Sequence, residues 1–124
     1  MTDKRKITVN VNGKSHTKDV STRLLLSDFL RHELLLTGTH VGCDTSQCGC
    51  CTVLVSDAAV SGCLYLAVFA DGADVKTIEY SPEGKLDAVQ ESFIECGAFQ
   101  CGYCTPGFVM AAKGFLDKHP NPTL

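Results

Sequence analysis

Ile7, Val9 and Val11 alternate with polar residues, Asn12-Gly13 follows, and His16–Val20 runs back with a weaker alternation. Period-two patterning on both sides of an Asn-Gly pair predicts an opening β-hairpin, because that dipeptide accepts the positive backbone angles of a tight hairpin turn. Leu24, Leu25, Phe29 and Leu30 then recur at helical spacing. Ser21 or Thr22 can cap the helix they predict, and its apolar stripe would pack on the sheet. The Leu34–Leu36 run and Thr37-Gly38 end that helix. Beyond a cysteine-rich loop, Thr52–Val55 reads as a strand, Asp57 as the start of a turn, and Val75–Ile78 as the last strand. Leu64–Ala70 is too short for periodicity to separate a helix from a buried strand.

The pattern changes at Ser81-Pro82-Glu83-Gly84, which reads as a linker. From Leu86 onward it is helical, with Val89, Phe93 and Ile94 on one face and a stop near Gly97. A second helix is expected to start with Thr105 as N-cap and Pro106 at the first helical position. Phe108, Ala111, Ala112, Phe115 and Leu116 would be its buried side, and Pro120 and Pro122 its end. The fold class is therefore α+β: a small ferredoxin-like β-grasp unit over residues 1–80, then a partial helical unit over residues 86–124. Two helices make an incomplete bundle, so the second unit needs more chain or a partner to cover its apolar faces.

Composition narrows the function. At 124 residues the chain can form one ordinary domain or two very small ones, and thin cores of that size call for metal or a partner surface. Eight cysteines fit the metal. The net charge of −3, with no stripe of Lys and Arg, argues against a nucleic-acid partner. Met1–Lys6 has no apolar signal core, and no apolar run approaches the length of a transmembrane helix. A cytoplasmic, reducing compartment is the default, where closely spaced cysteines are metal ligands more readily than disulfides.

Cys43, Cys48 and Cys51 give C-x4-C-x2-C, the opening of the thiolate pattern that a plant-type ferredoxin wraps around a [2Fe-2S] cluster. Two bridged irons need four soft, anionic ligands in a small volume. One loop can deliver three, with Gly42 and Gly49 admitting unusual backbone angles and letting amides approach the sulfurs. Cys63 would be the fourth, after a shorter gap than a plain ferredoxin has. Structural thiols or zinc are the competing readings. Cys101-Gly-Tyr-Cys104 precedes the capped helix start, where helix amides favour a thiolate, and it reads as cluster ligands, a zinc half-site or redox-active thiols. Cys50 and Cys96 read as inert small hydrophobes, Cys96 at a helix end. None of the four histidines has the pairing with a C-x2-C group that a Rieske centre needs, and no Ser, His and Asp set argues for hydrolysis.

Taken together, Leu36–Gly49 (L-T-G-T-H-V-G-C-D-T-S-Q-C-G), Cys51-Thr-Val, Cys63, Ala73–Glu79 (A-D-V-K-T-I-E) and Gln100–Gly107 (Q-C-G-Y-C-T-P-G) closely resemble the small iron–sulfur subunit of the molybdenum hydroxylases. That family includes xanthine dehydrogenase, aldehyde oxidoreductase and bacterial carbon monoxide dehydrogenase. The first loop and Gln100–Gly107 are nearest in wording to the carbon monoxide dehydrogenase small chains.

The resemblance implies a non-catalytic electron-transfer subunit. Cys43, Cys48, Cys51 and Cys63 would hold one [2Fe-2S] cluster on the flavin side. Cys101 and Cys104 would ligate a second, with Gln100 against the pterin. A large molybdopterin subunit and a medium FAD subunit are the implied partners, in a heterotrimer that pairs into a dimer of heterotrimers. The family pattern gives the second cluster its last two thiolates from a C-x-C pair, and no such pair occurs before Leu124. The chain is therefore expected to be incomplete as written; if not, the second cluster would be absent or unstable. The rival expectations are a stand-alone [2Fe-2S] carrier and a zinc-stabilised interaction module.

Overall fold

The computed structural model describes residues 3–123. Strands β1 (Lys4–Val11) and β2 (Lys14–Ser21) form the expected hairpin, with Asn12 and Gly13 both at positive φ. Strands β3 (Thr52–Val55), β4 (Ala58–Ser61) and β5 (Asp74–Lys76) complete a five-stranded sheet in the order β2-β1-β5-β3-β4. The β1–β5 pair is parallel and the others antiparallel. Strand β4 was not expected: it follows a tight turn in which Ser56 and Asp57 take φ of 47° and 67°, a conformation the Ser-Asp pair does not advertise.

The first helix differs from expectation. It starts at Leu26, not after a Ser21 or Thr22 cap. The helical turn α1 (Leu26–Asp28) runs into a wider π-type turn over Phe29–Glu33, where the Leu34 amide reaches the Phe29 carbonyl. Ser21 is the last residue of β2, and Leu25 is still extended and bridges to Leu66, so the chain stays non-helical past the expected cap. Ser21 Oγ accepts from the Arg23 amide instead. Leu26, Phe29 and Leu30 are wholly buried against Ile7, Val9, Val11, Val53 and Val75. Of the two readings left open for Leu64–Ala70 the structure takes the helical one, as short 3-10 turns over Gly62–Leu64 and Ala67–Ala70. A third 3-10 turn, Pro82–Gly84, lies in the expected linker.

Helix α2 (Ala88–Glu95) carries a capping box: Asp87 accepts from the Gln90 amide and Gln90 Oε1 accepts from the Asp87 amide. Helix α3 (Thr105–Lys118) is capped by Cys104, one residue before the expected cap, and Thr105 Oγ1 is buried without a partner. Its buried face also differs. Gly107, Val109, Met110 and Gly114 are buried, whereas Phe108 and Phe115 are exposed. The reason is close packing. A Cβ at Gly107 would run into the Gly49 carbonyl and the Cys50 main chain, and one at Gly114 would lie 2.9 Å from Leu54 Cδ2. The glycines let α3 come close to the loop and sheet where a larger residue would be blocked, with Val109 and Met110 packed beside them. Strand β3 is thus buried on both sides, Val53 and Val55 towards α1 and Leu54 under α3, which accounts for its unbroken apolar run.

Two predictions follow from this packing. Gly107→Ala must push α3 off the cysteine loop and should cost about 3 kcal/mol, while Gly114→Ala meets only a flexible methyl and should cost under about 1 kcal/mol. Urea denaturation of the two variants checks the ranking. Burial disfavours the Asp87 carboxylate, but Lys113 and the amides of Gln90 and Val89 outweigh it and hold its pKa below the ordinary 3.8. Its stabilisation is therefore complete above 3.8 and drains away as pH falls through the depressed value. Asp87→Ala should cost about 1–2 kcal/mol near neutrality and much less at strongly acid pH, read from melting temperature against pH.

Candidate metal centre

The loop between the π-type turn and β3 carries Cys43, Cys48, Cys50 and Cys51. Its entry is fixed from outside. Arg31 donates to the carbonyls of Thr37 and Thr39 at 2.8 and 2.9 Å, and the Gly38 amide donates to Glu79 Oε2 at 2.7 Å. Glu79 is held in turn by the Thr77 hydroxyl, and Thr77 by both ends of the Asn12 amide. The hairpin turn, the exit of β5 and the cysteine loop are thereby one hydrogen-bonded unit. Sequence reasoning did not assign a role to Arg31 or Glu79.

Within the loop, Asp44, Ser46 and Gly49 have φ of 58°, 65° and 76°. Left-handed residues alternating with right-handed ones turn successive amides to one side. The amides of Thr45, Gln47 and Cys48 all point at Cys43 Sγ, at 3.3, 3.2 and 3.3 Å. The Thr45 hydroxyl and these amides pull the Cys43 thiol down to about 6. Gly42 works differently from the expectation: it is not at positive φ, but a Cβ there would lie 3.1 Å from Cys48 Sγ and 3.3 Å from Cys50 Sγ. It is glycine because sulfurs crowd it.

Cys51 and Cys63 form a second pair. Both are buried, at the start of β3 and just after β4, and the Cys63 amide donates to Cys51 Sγ at 3.3 Å. Burial and the neighbouring Cys51 thiol push the Cys63 thiol up to about 11. Cys43 and Ser46 are also within reach of Cys63, and Ser46 Oγ donates to Ser61 Oγ, tying the loop to the strand that carries Cys63. The loop and the β3–β4 end of the sheet therefore bring Cys43, Cys48, Cys51 and Cys63 to one end of the sheet. Among the described residues, no three Cys, His, Asp or Glu side chains close around a single ion. Two thiol pairs with inward-turned amides fit the donor set of a two-iron cluster, whose sulfurs are anionic and take amide hydrogen bonds.

Cys50 is buried behind this group. Burial first, then Cys48, Cys104 and Cys51, push its thiol up to about 11. Cys101 and Cys104 lie on the exposed turn between α2 and α3, and Cys104 is brought near Cys50 because Gly107 seats α3 on that main chain. Cys96 is at the end of a helix, as expected, but exposed at the C-cap of α2 and not packed as a small hydrophobe. Gln100 is exposed next to Cys101. The structure thus places both cysteine groups side by side. Tyr103 and His40 touch across them, a contact with no sequence signal, since the residues are 63 positions apart.

Comparison with known proteins agrees with this geometry. A family model described as a 2Fe-2S iron-sulfur cluster binding domain matches residues 9–77, and one described as a [2Fe-2S] binding domain matches residues 77–124. The chain is 44% identical over 121 residues to the nicotine 6-hydroxylase small subunit of Paenarthrobacter nicotinovorans, covering 98% of this chain and 73% of that one. It is 46% identical over 114 residues to the aldehyde oxidoreductase iron-sulfur-binding subunit of Escherichia coli (strain K12), covering 90% of this chain and 49% of that one. Quinoline 2-oxidoreductase from Pseudomonas putida 86 superposes with a TM-score of 0.90 at 40% identity, over 97% of this chain and 75% of that one. The chain belongs to the small [2Fe-2S] electron-transfer subunits of the molybdenum hydroxylase family.

Proposed function

We propose that Cys43, Cys48, Cys51 and Cys63 hold one [2Fe-2S] cluster and that Cys101 and Cys104 supply two thiolates to a second. The observation that carries this reading is the convergence of three amides on Cys43 Sγ. A neutral packed thiol has no use for so many donors, whereas a cluster-bound sulfur does. When bound, a [2Fe-2S] cluster supplies a redox couple whose potential follows the hydrogen bonds to its sulfurs and their exposure. Cys50 lies outside this set and fills space between the two groups, packed under Gly107.

On this reading, residues 1–80 hold the cluster on the side of FAD, carried by a medium partner subunit. Residues 86–124 face the molybdopterin of a large partner subunit, with Gln100 beside the pterin. The chain relays electrons from the molybdenum centre to the flavin. Exposure of Cys48, Cys101, Cys104 and Gln100 supports this, since a relay must bring its sites close to its partners'. The exposed Phe108, Phe115, Ile94 and Phe99 support burial against other subunits, in a heterotrimer that pairs into a larger assembly. A reducing, cytoplasmic setting suits eight free cysteines. Relatives named for nicotine and for aldehydes lie within a few per cent of each other in identity to this chain, as expected of a subunit that does not read the substrate. Carbon monoxide, suggested by the wording of the loops, is no better supported than a nitrogen heterocycle or an aldehyde.

Purified anaerobically in its complex, the protein should be red-brown. Cys43→Ala or Cys51→Ala should remove one cluster's iron and sulfide. Either should slow turnover more than about 100-fold, beyond the loss seen for groups that merely orient ligands. Cys50→Ala should leave the iron count unchanged. Visible absorption, iron and acid-labile sulfide decide it, and a colourless protein that carries zinc would overturn the reading.

A further inference from the structure

His40 and Tyr103 join the two cysteine loops directly. His40 Nδ1 donates to the Tyr103 carbonyl at 2.7 Å, the rings stack with centroids 4.6 Å apart and 20° between planes, and the Tyr103 hydroxyl donates to the Val41 carbonyl at 2.7 Å. A carbonyl only accepts, so the imidazole carries a proton on Nδ1. Three contacts thus run between residues 40–41 and one residue of the second loop. Core formation does not require them: Tyr103 is 48% exposed and His40 half-buried, so the pair covers little apolar surface. What they do is fix one loop against the other.

Placement gives the contact its consequence. Cys43 follows His40 by three residues, and Cys104 is next to Tyr103. On the far side of Cys104, Gly107 abuts Gly49 and Cys50 of the first loop. Cys104 is therefore held between two attachments to the same loop, one through aromatic stacking and hydrogen bonds and the other through main-chain contact. Two attachments fix both distance and rotation, where either alone would leave a hinge.

We propose that His40 and Tyr103 are positioning residues that set the spacing between the first and second cysteine groups, and so the electron-transfer distance within the subunit. The proposal rests on the reading that both groups hold clusters. Electron tunnelling falls steeply with distance, so sites in series need the sub-ångström support that any preorganised site needs.

The test uses the assembled complex and compares His40→Ala, His40→Phe, which keeps the stack but not the hydrogen bond, and Tyr103→Phe, which removes one oxygen. Electron paramagnetic resonance of the fully reduced protein reads the magnetic splitting between the two clusters, and amide hydrogen exchange reads the second loop. In His40→Ala the splitting should change, and amides 101–104 should exchange up to about tenfold faster, the loss expected for a hydrogen bond or two. Iron, sulfide and each cluster's own potential should stay at wild-type values. Tyr103→Phe should shift both readouts less, and it carries the comparison should His40→Ala fail to assemble. Wild-type splitting in the variants with both clusters loaded overturns the proposal, as does wild-type exchange. A wild-type complex with a single cluster's iron and no splitting would overturn the two-cluster reading itself, and is told apart because it needs no variant.

Discussion

Main-chain amides aimed at a sulfur atom are what this structure is built to supply. Residues 44–49 leave ordinary backbone geometry to do so, with Asp44 and Ser46 in the left-handed region, each costing on the order of 1 kcal/mol or more. The compensation is three hydrogen bonds to Cys43 Sγ, which strengthen once the sulfur is charged. A loop so strained cannot hold itself. The Arg31, Glu79, Thr77 and Asn12 network anchors it to the hairpin and to the end of β5, so the sheet serves as the frame of the centre.

The second constraint is proximity. A relay needs its sites close together, and side chains between them would keep them apart. Helix α3 therefore meets the cysteine loop with glycine: Gly107 lies on Gly49 and Cys50, while Gly114 lets the helix settle on Leu54. The bulky residues of α3 turn outward, where Phe108 and Phe115 remain uncovered by this chain. Closeness inside and apolar surface outside have one cause. A helix turned so that its glycines meet the sheet carries Phe108 and Phe115 to the opposite side.

Membership of the molybdenum hydroxylase small subunits fits this division of labour. The chain supplies thiols, amides and spacing, and its identity to relatives named for different substrates is nearly uniform. Its thin core, with α2 contributing no fully buried residue, belongs to a subunit that gains stability from what it binds.

Much of this was legible in the residues. Alternation around Asn12-Gly13 determined the hairpin, the apolar run Thr52–Val55 a strand, and the cysteine spacing a family of [2Fe-2S] binding domains, because local periodicity and spacing are short-range properties. Strand β4 was missed although the turn at Asp57 was read, because Ala58–Ser61 carries no alternation of apolar and polar residues. The α3 face was misread because periodicity ranks residues by hydrophobicity, whereas close approach to a backbone selects the smallest. Gly42 was assigned conformational freedom when crowding by two sulfurs was its reason. The bridge from His40 to Tyr103, the seat of Gly107 on the first loop and the support of Gly38 by Glu79 join residues 41 to 63 positions apart. Only the tertiary fold could decide those, since contacts between distant segments depend on how helices and sheet pack and leave no period in the chain.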